Sequence, residues 1–83
     1  MTKDEIFKVL KKRIYEQLEG EIQESAIVLI KTIAELGGTS LDIVEIVSNT
    51  TRDLKIKVPR EELVKAKNIE GLVDKYFEYQ KPG

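Results

Sequence analysis

The side chain best placed for chemistry is a serine. Ser40 sits in Leu36-Gly37-Gly38-Thr39-Ser40-Leu41-Asp42-Ile43-Val44-Glu45-Ile46-Val47. Two glycines end a loop, a helix begins at the serine, and apolar and acidic residues then alternate around that helix. The hydroxyl is expected to stand exposed at the helix start, next to unpaired backbone N–H groups, which is a good place to hold a phosphate ester. Other chemistry is poorly supplied. The chain has no cysteine and no histidine, which removes disulfides, thiolate metal sites and the commonest general base. Asp42 with Glu45, and Glu61 with Glu62, are the paired carboxylates on offer. Neither pair has a pocket visible in the sequence around it, so both read as helix-surface charge and an enzyme is discounted.

The 83 residues are enough for one small domain. A fold of this size buries roughly 60–65% of its unfolded surface, so its core is modest and a deep cleft is not expected. Fourteen basic and fifteen acidic residues leave a net charge of −1, which argues against a nucleic-acid partner. The longest apolar run, Ala26 to Ile30, is too short to span a bilayer. Met1-Thr2-Lys3-Asp4-Glu5 leads into an amphipathic pattern rather than a signal peptide. The expectation is a soluble, cytoplasmic monomer.

The elements that must position Ser40 are helical. Thr2 with Glu5 makes a capping-box pattern, and Ile6, Leu10, Ile14 and Leu18 then form one stripe of a first helix over Lys3 to Leu18, stopped at Gly20. Residues 19–38 form a long connection, apolar in the middle, that should pack across the bundle with a helical turn between Glu24 and Lys31. Thr39 caps a second helix over Ser40 to Arg52, with Asp42 in its first turn. Ile43, Ile46, Val47 and Thr50 should face the core, and Leu41, Val44 and Ser48 another side. Pro59 precedes a short helix at Arg60 to Ala66 that buries Leu63 and Val64. Asn68 caps a last helix whose stripe is Ile69, Leu72, Val73, Tyr76 and Phe77. Gln80 to Gly83 reads as a frayed end, with residues 81–83 a disordered tail beyond a single domain of residues 1–80.

Three longer helices and one short one, with a long loop after the first, make an all-α four-helix bundle. That order, and the run around Ser40, resemble the acyl carrier proteins, whose attachment motif is usually written Gly-x-Asp-Ser-Leu. Lys57-Val58-Pro59-Arg60-Glu61-Glu62-Leu63 resembles the family's stretch after its second helix, and Asn68-Ile69-Glu70-Gly71-Leu72-Val73 the opening of its last. The resemblance implies that Ser40 carries 4′-phosphopantetheine, moved from coenzyme A by a phosphopantetheinyl transferase, and that acyl groups ride on the arm's thiol as thioesters. Gly37 and Gly38 would permit the turn and clear a path for the transferase. Two features depart from the family: Thr39 stands where aspartate is usual, and the chain is not strongly acidic.

The resemblance also implies that the second helix docks partner enzymes such as acyltransferases and ketosynthases. The expected recognition residues are Leu41, Asp42, Val44, Glu45 and Ser48, with Arg52 and Lys55, and Lys57 beyond them, giving a rim less acidic than is usual. Such a rim selects partners more than it adds affinity. It points to a stand-alone carrier of polyketide assembly serving β-carbon branching. A fatty-acid carrier, a peptidyl or aminoacyl carrier and an unmodified adaptor of the same fold are the alternatives. Ala34, Ser48 and Gly71 are small residues that would leave room for cargo between the helices.

Overall fold

The computed structural model describes residues 1–19 and 21–80. Its helices are α1 (Lys3–Gln17), α2 (Ser40–Leu54), α3 (Arg60–Leu63) and α4 (Ile69–Tyr79), with a 3₁₀ turn at Glu24–Ala26 and no strand among the described residues. The fold is the expected all-α bundle, three longer helices and one short, with its long connection after α1. Gly20, read as a helix stop, and the tail at 81–83 lie outside the described residues.

α1 begins with both halves of its capping box: Thr2 Oγ1 accepts from Glu5 N at 3.2 Å, and Glu5 Oε1 from Thr2 N at 2.8 Å. It ends at Gln17, after which Glu19 takes the left-handed conformation, φ 56°. α2 runs two residues past the expected Arg52, because Leu54 has a place in the core, and it ends on Lys55 at φ 58°. α3 is shorter than expected. Beyond Leu63 the bonding tightens to three-residue steps, Lys65 N to Glu62 O and Ala66 N to Leu63 O at 3.1 Å, so residues 64–66 form a turn. Val64, expected inside, is exposed.

The core joins Ile6, Leu10 and Ile14 of α1 to Ile46 and Leu54 of α2 and to Ile69, Leu72, Val73 and Tyr76 of α4. The long connection packs across it as expected, burying Ile27, Ile33 and Leu36. It also closes the start of α4: Ile69 N donates to Lys31 O and Glu70 N to Leu29 O, both at 2.9 Å. Of the expected inner face of α2, Ile46 and Thr50 are fully buried and Ile43 and Val47 half-buried. Phe77 leaves the α4 stripe. One residue past Tyr76 it is rotated about 100° around the helix, stays 40% exposed, and has Lys3 Nζ 5.3 Å from its ring centroid. Gln80 is not frayed, since its side chain accepts from the Met1 ammonium at 2.8 Å and donates to Met1 O at 2.9 Å.

Two polar links hold α2 in place. Arg13 grips Asp53 through Nε and Nη2, one edge of its guanidinium, with Nη2 2.7 Å from Oδ1. Inside, the Tyr76 hydroxyl donates to Val47 O at 3.2 Å and lies 2.6 Å from Thr51 Oγ1. Thr50 Oγ1 is buried without a partner among the described residues. An unmatched buried hydroxyl is costly, whereas a methyl of the same shape is not. Thr50→Val is expected to raise stability by about 1 kcal/mol, read as a higher urea midpoint at unchanged m-value. A lower midpoint would show that the hydroxyl is satisfied.

Candidate functional site

Ser40 owes its position to the turn before it. Gly37 has φ 97°, a conformation that side chains resist, and a Cβ there would meet open space. Gly38 is small for a different reason: a Cβ would stand 2.5 Å from Ile33 Cγ2 and 3.1 Å from Ile33 O. The first glycine thus supplies the turn, as expected. The second lets the chain pass over a buried isoleucine, a role the sequence did not disclose. A further reciprocal pair, Thr32 with Glu35 at 2.9 Å in both directions, holds the preceding turn.

Thr39 then caps α2. Its Oγ1 accepts from Asp42 N at 3.2 Å, while Asp42 Oδ2 accepts from Thr39 N at 2.9 Å. Threonine therefore fills the capping role at the position where the family usually has aspartate. Asp42 Oδ1 accepts from Gln17 Nε2 of α1 at 2.9 Å. The Thr39 N–H and the Gln17 amide hold the Asp42 carboxyl below the usual aspartate range. Ser40, the first residue of the helix, is exposed. Its N–H and that of Leu41 have no partner among the described residues. The site fits a phosphodiester: an open hydroxyl, two free donors and the positive end of a 15-residue helix.

The recognition residues separate into groups. Leu41 is 78% and Val44 43% exposed, and Glu45, Ser48 and Arg52 are exposed with them. At 100° per residue all five share one side of α2. Asp42 faces α1 instead, with both carboxylate oxygens bonded. Lys55 and Lys57 line a surface depression of about 520 Å³ with Met1 and Tyr79, at the other end of α2. A helix rise of 1.5 Å per residue puts Lys55 about 22 Å along the axis from Ser40.

Between α2, α3 and α4 lies a narrow apolar cleft of about 90 Å³, walled by Ile43, Val44, Val47, Ser48, Leu63 and Arg60. A wider recess of about 260 Å³ continues past Ile43 and Leu63 to Ala34 and Asn68. Of the small residues expected to leave room, Ser48 and Ala34 line these spaces. Gly71 does not: a Cβ there would stand 3.2 Å from Ala66 Cβ. Arg60 in the cleft wall was not among the expected site residues. Its four-residue spacing from Val64 was the available signal.

Because the folded-state pKa of Asp42 is depressed, the stability its carboxylate contributes is complete above the unfolded pKa and is lost as the pH falls through the folded one. The Thr39 amide proton is expected to titrate in NMR spectra with a midpoint below about 3.9, the ordinary aspartate value. A midpoint at or above that value would remove the cap bond from solution.

A family model described as a phosphopantetheine attachment site matches residues 10–75. No curated protein and no solved structure matches the chain. The matched span runs from the second half of α1 into α4 and contains the whole Ser40 turn. No described helix is long and apolar enough to cross a membrane. With most of its length inside the family model and the helical order that goes with it, the chain belongs to the phosphopantetheine-attachment family of acyl carrier proteins and carries 4′-phosphopantetheine covalently.

Proposed function

We propose that Ser40 is the attachment residue and that the chain is a non-catalytic carrier, acted on by visiting enzymes. The observation that carries this is the exposed Ser40 hydroxyl at the start of α2, beside the free N–H groups of Ser40 and Leu41. When bound, the arm supplies a thiol on which acyl groups are held as thioesters. The chain's own residues have a simpler task. Thr39 and Asp42 fix the helix start, Gly37 sets the turn, and no neighbouring side chain is needed to activate the hydroxyl. The open N–H groups and the helix dipole stabilise an exposed phosphodiester by roughly 0.3–1 kcal/mol. That is enough to orient a covalent linkage and too little to anchor a free one.

The pathway we propose is polyketide assembly, with service to β-carbon branching. In support are the run Asp42 to Val47, the Val58-Pro59-Arg60 segment, and a second helix whose outward side carries Arg52 as well as Glu45. Leu41, Val44 and Ser48 form the apolar centre of its docking face.

Incubation with a broad-range phosphopantetheinyl transferase and coenzyme A is expected to add one phosphopantetheinyl group by intact mass. Ser40→Ala is expected to stay unmodified. A modified Ser40→Ala, or an unmodified wild type, would overturn the assignment, the latter in favour of an adaptor. For the pathway, the acyl-loaded carrier is expected to react faster with a β-branching condensing enzyme than with a fatty-acid ketosynthase. Equal or reversed rates would remove the polyketide reading.

A further inference from the structure

We propose that the depression at the end of α2 remote from Ser40 is a docking site for an extended, carboxylate-bearing segment of a partner protein, which adds alongside residues 56–58 as a strand. The fold leaves a run of backbone groups unused there. The N–H groups of Ile56, Lys57 and Val58, and the carbonyls of Lys55 to Val58, have no partner among the described residues. The long connection, by contrast, gives the carbonyls of Leu29 and Lys31 to α4. Side chains alternate along the open stretch: Ile56 is buried and Val58 half-buried, while Lys55 and Lys57 are exposed. That is the two-residue period of a strand with one face on a core. The residue before a proline is pushed toward extended backbone, which applies to Val58, and Pro59 itself has φ −55° and ψ 138°. An unpaired edge of this kind is where an extended peptide adds, through main-chain hydrogen bonds.

The surroundings decide what such a segment carries. The depression, about 520 Å³, runs from Lys55, Ile56 and Lys57 to Met1, Tyr79 and Gln80. Its lining holds two lysines and no carboxylate. Neither lysine lies within ion-pair distance of an acid among the described residues. The acids nearest in sequence stand outside the lining: Asp53 forms with Arg13 of α1 a pair of no net charge, and Glu78 precedes Tyr79 on α4. Exposed ion pairs add little affinity, but like charges reject the wrong partner. Main-chain bonds therefore hold the added strand, and the lysines select its charge. A second copy of Ile56 to Val58 is repelled by its own lysines, so self-pairing is disfavoured. Lys81 and Pro82, next in the sequence, suit the site poorly, one being cationic and the other lacking an N–H. A partner held here, about 22 Å along α2 from Ser40, leaves the serine end open to enzymes.

The test titrates the full chain with a short capped peptide of alternating glutamate and valine, followed by amide NMR and fluorescence anisotropy. The largest shifts are expected at Ile56, Lys57 and Val58, with slowed exchange of their amide protons, and the affinity is expected to fall as salt rises. Lys55→Glu with Lys57→Glu is expected to weaken binding about tenfold. Lys8→Glu with Lys12→Glu, the same charge change on the exposed side of α1, is expected to match the wild type within about twofold. The same peptide methylated on every backbone nitrogen is expected to lose binding, because it has no N–H with which to pair. Absence of shifts at residues 56–58 at millimolar peptide would overturn the proposal. So would equal binding of a lysine–valine peptide, the same shifts with inorganic phosphate alone, undiminished binding of the methylated peptide, or an equal loss in the α1 control.

Discussion

The Asp42 carboxylate works inward. One oxygen takes the Thr39 N–H and the other the Gln17 side chain, so a single group closes the start of α2 and fastens it to the end of α1. Much of the site's geometry follows from this. With the cap closed by residues 39 and 42, Ser40 between them is left with nothing to do inside the protein. Its hydroxyl stays in solvent at the end of a helix that cannot fray easily. The turn feeding the cap is equally constrained, because Gly38 must slide over Ile33 and Gly37 must adopt a positive φ.

The helix starts differ in a way that bears on function. α4 has its first amides taken by Lys31 O and Leu29 O, Asn68 Oδ1 takes Gly71 N at 2.9 Å, and Asn68 O takes Leu72 N. Among the described residues α2 keeps two amides open. So does α1, at Lys3 and Asp4, which shows that open amides alone do not mark an attachment point. What sets α2 apart is an exposed hydroxyl at its first position, directly after a glycine turn. The long connection matters here: by giving the carbonyls of Leu29 and Lys31 to α4 it is held across the bundle.

A carrier must offer one reactive point and a face that others can read, and the distribution of charge in this chain reflects both. Acids that face neighbouring helices are bonded within the fold, as at Asp42, Asp53 and Glu62. The Arg13–Asp53 grip and the Tyr76 hydroxyl on Val47 O hold α2 against α1 and α4. That leaves the outer side of α2 free to be small, apolar and sparsely charged without weakening the bundle.

The helices, their caps and the exposed serine were legible in the chain because each depends on neighbours three or four residues apart. Thr2 with Glu5, Thr39 with Asp42, and the stripe Ile6, Leu10, Ile14 are all local patterns. Phe77 and Val64 were misread, because whether an apolar side chain at the edge of a stripe is covered depends on which distant element reaches it. The same holds for polar groups. Asp42 read as a docking charge until Gln17, 25 residues earlier, was found against it. Arg60 read as an ordinary helix-start residue until the cleft placed it beside Ser48. Sequence alone determined where a capped helix begins with an open hydroxyl, since a cap and a hydroxyl are short-range features. Tertiary packing decided which charges are bonded within the fold, since that depends on what the fold brings within bonding distance.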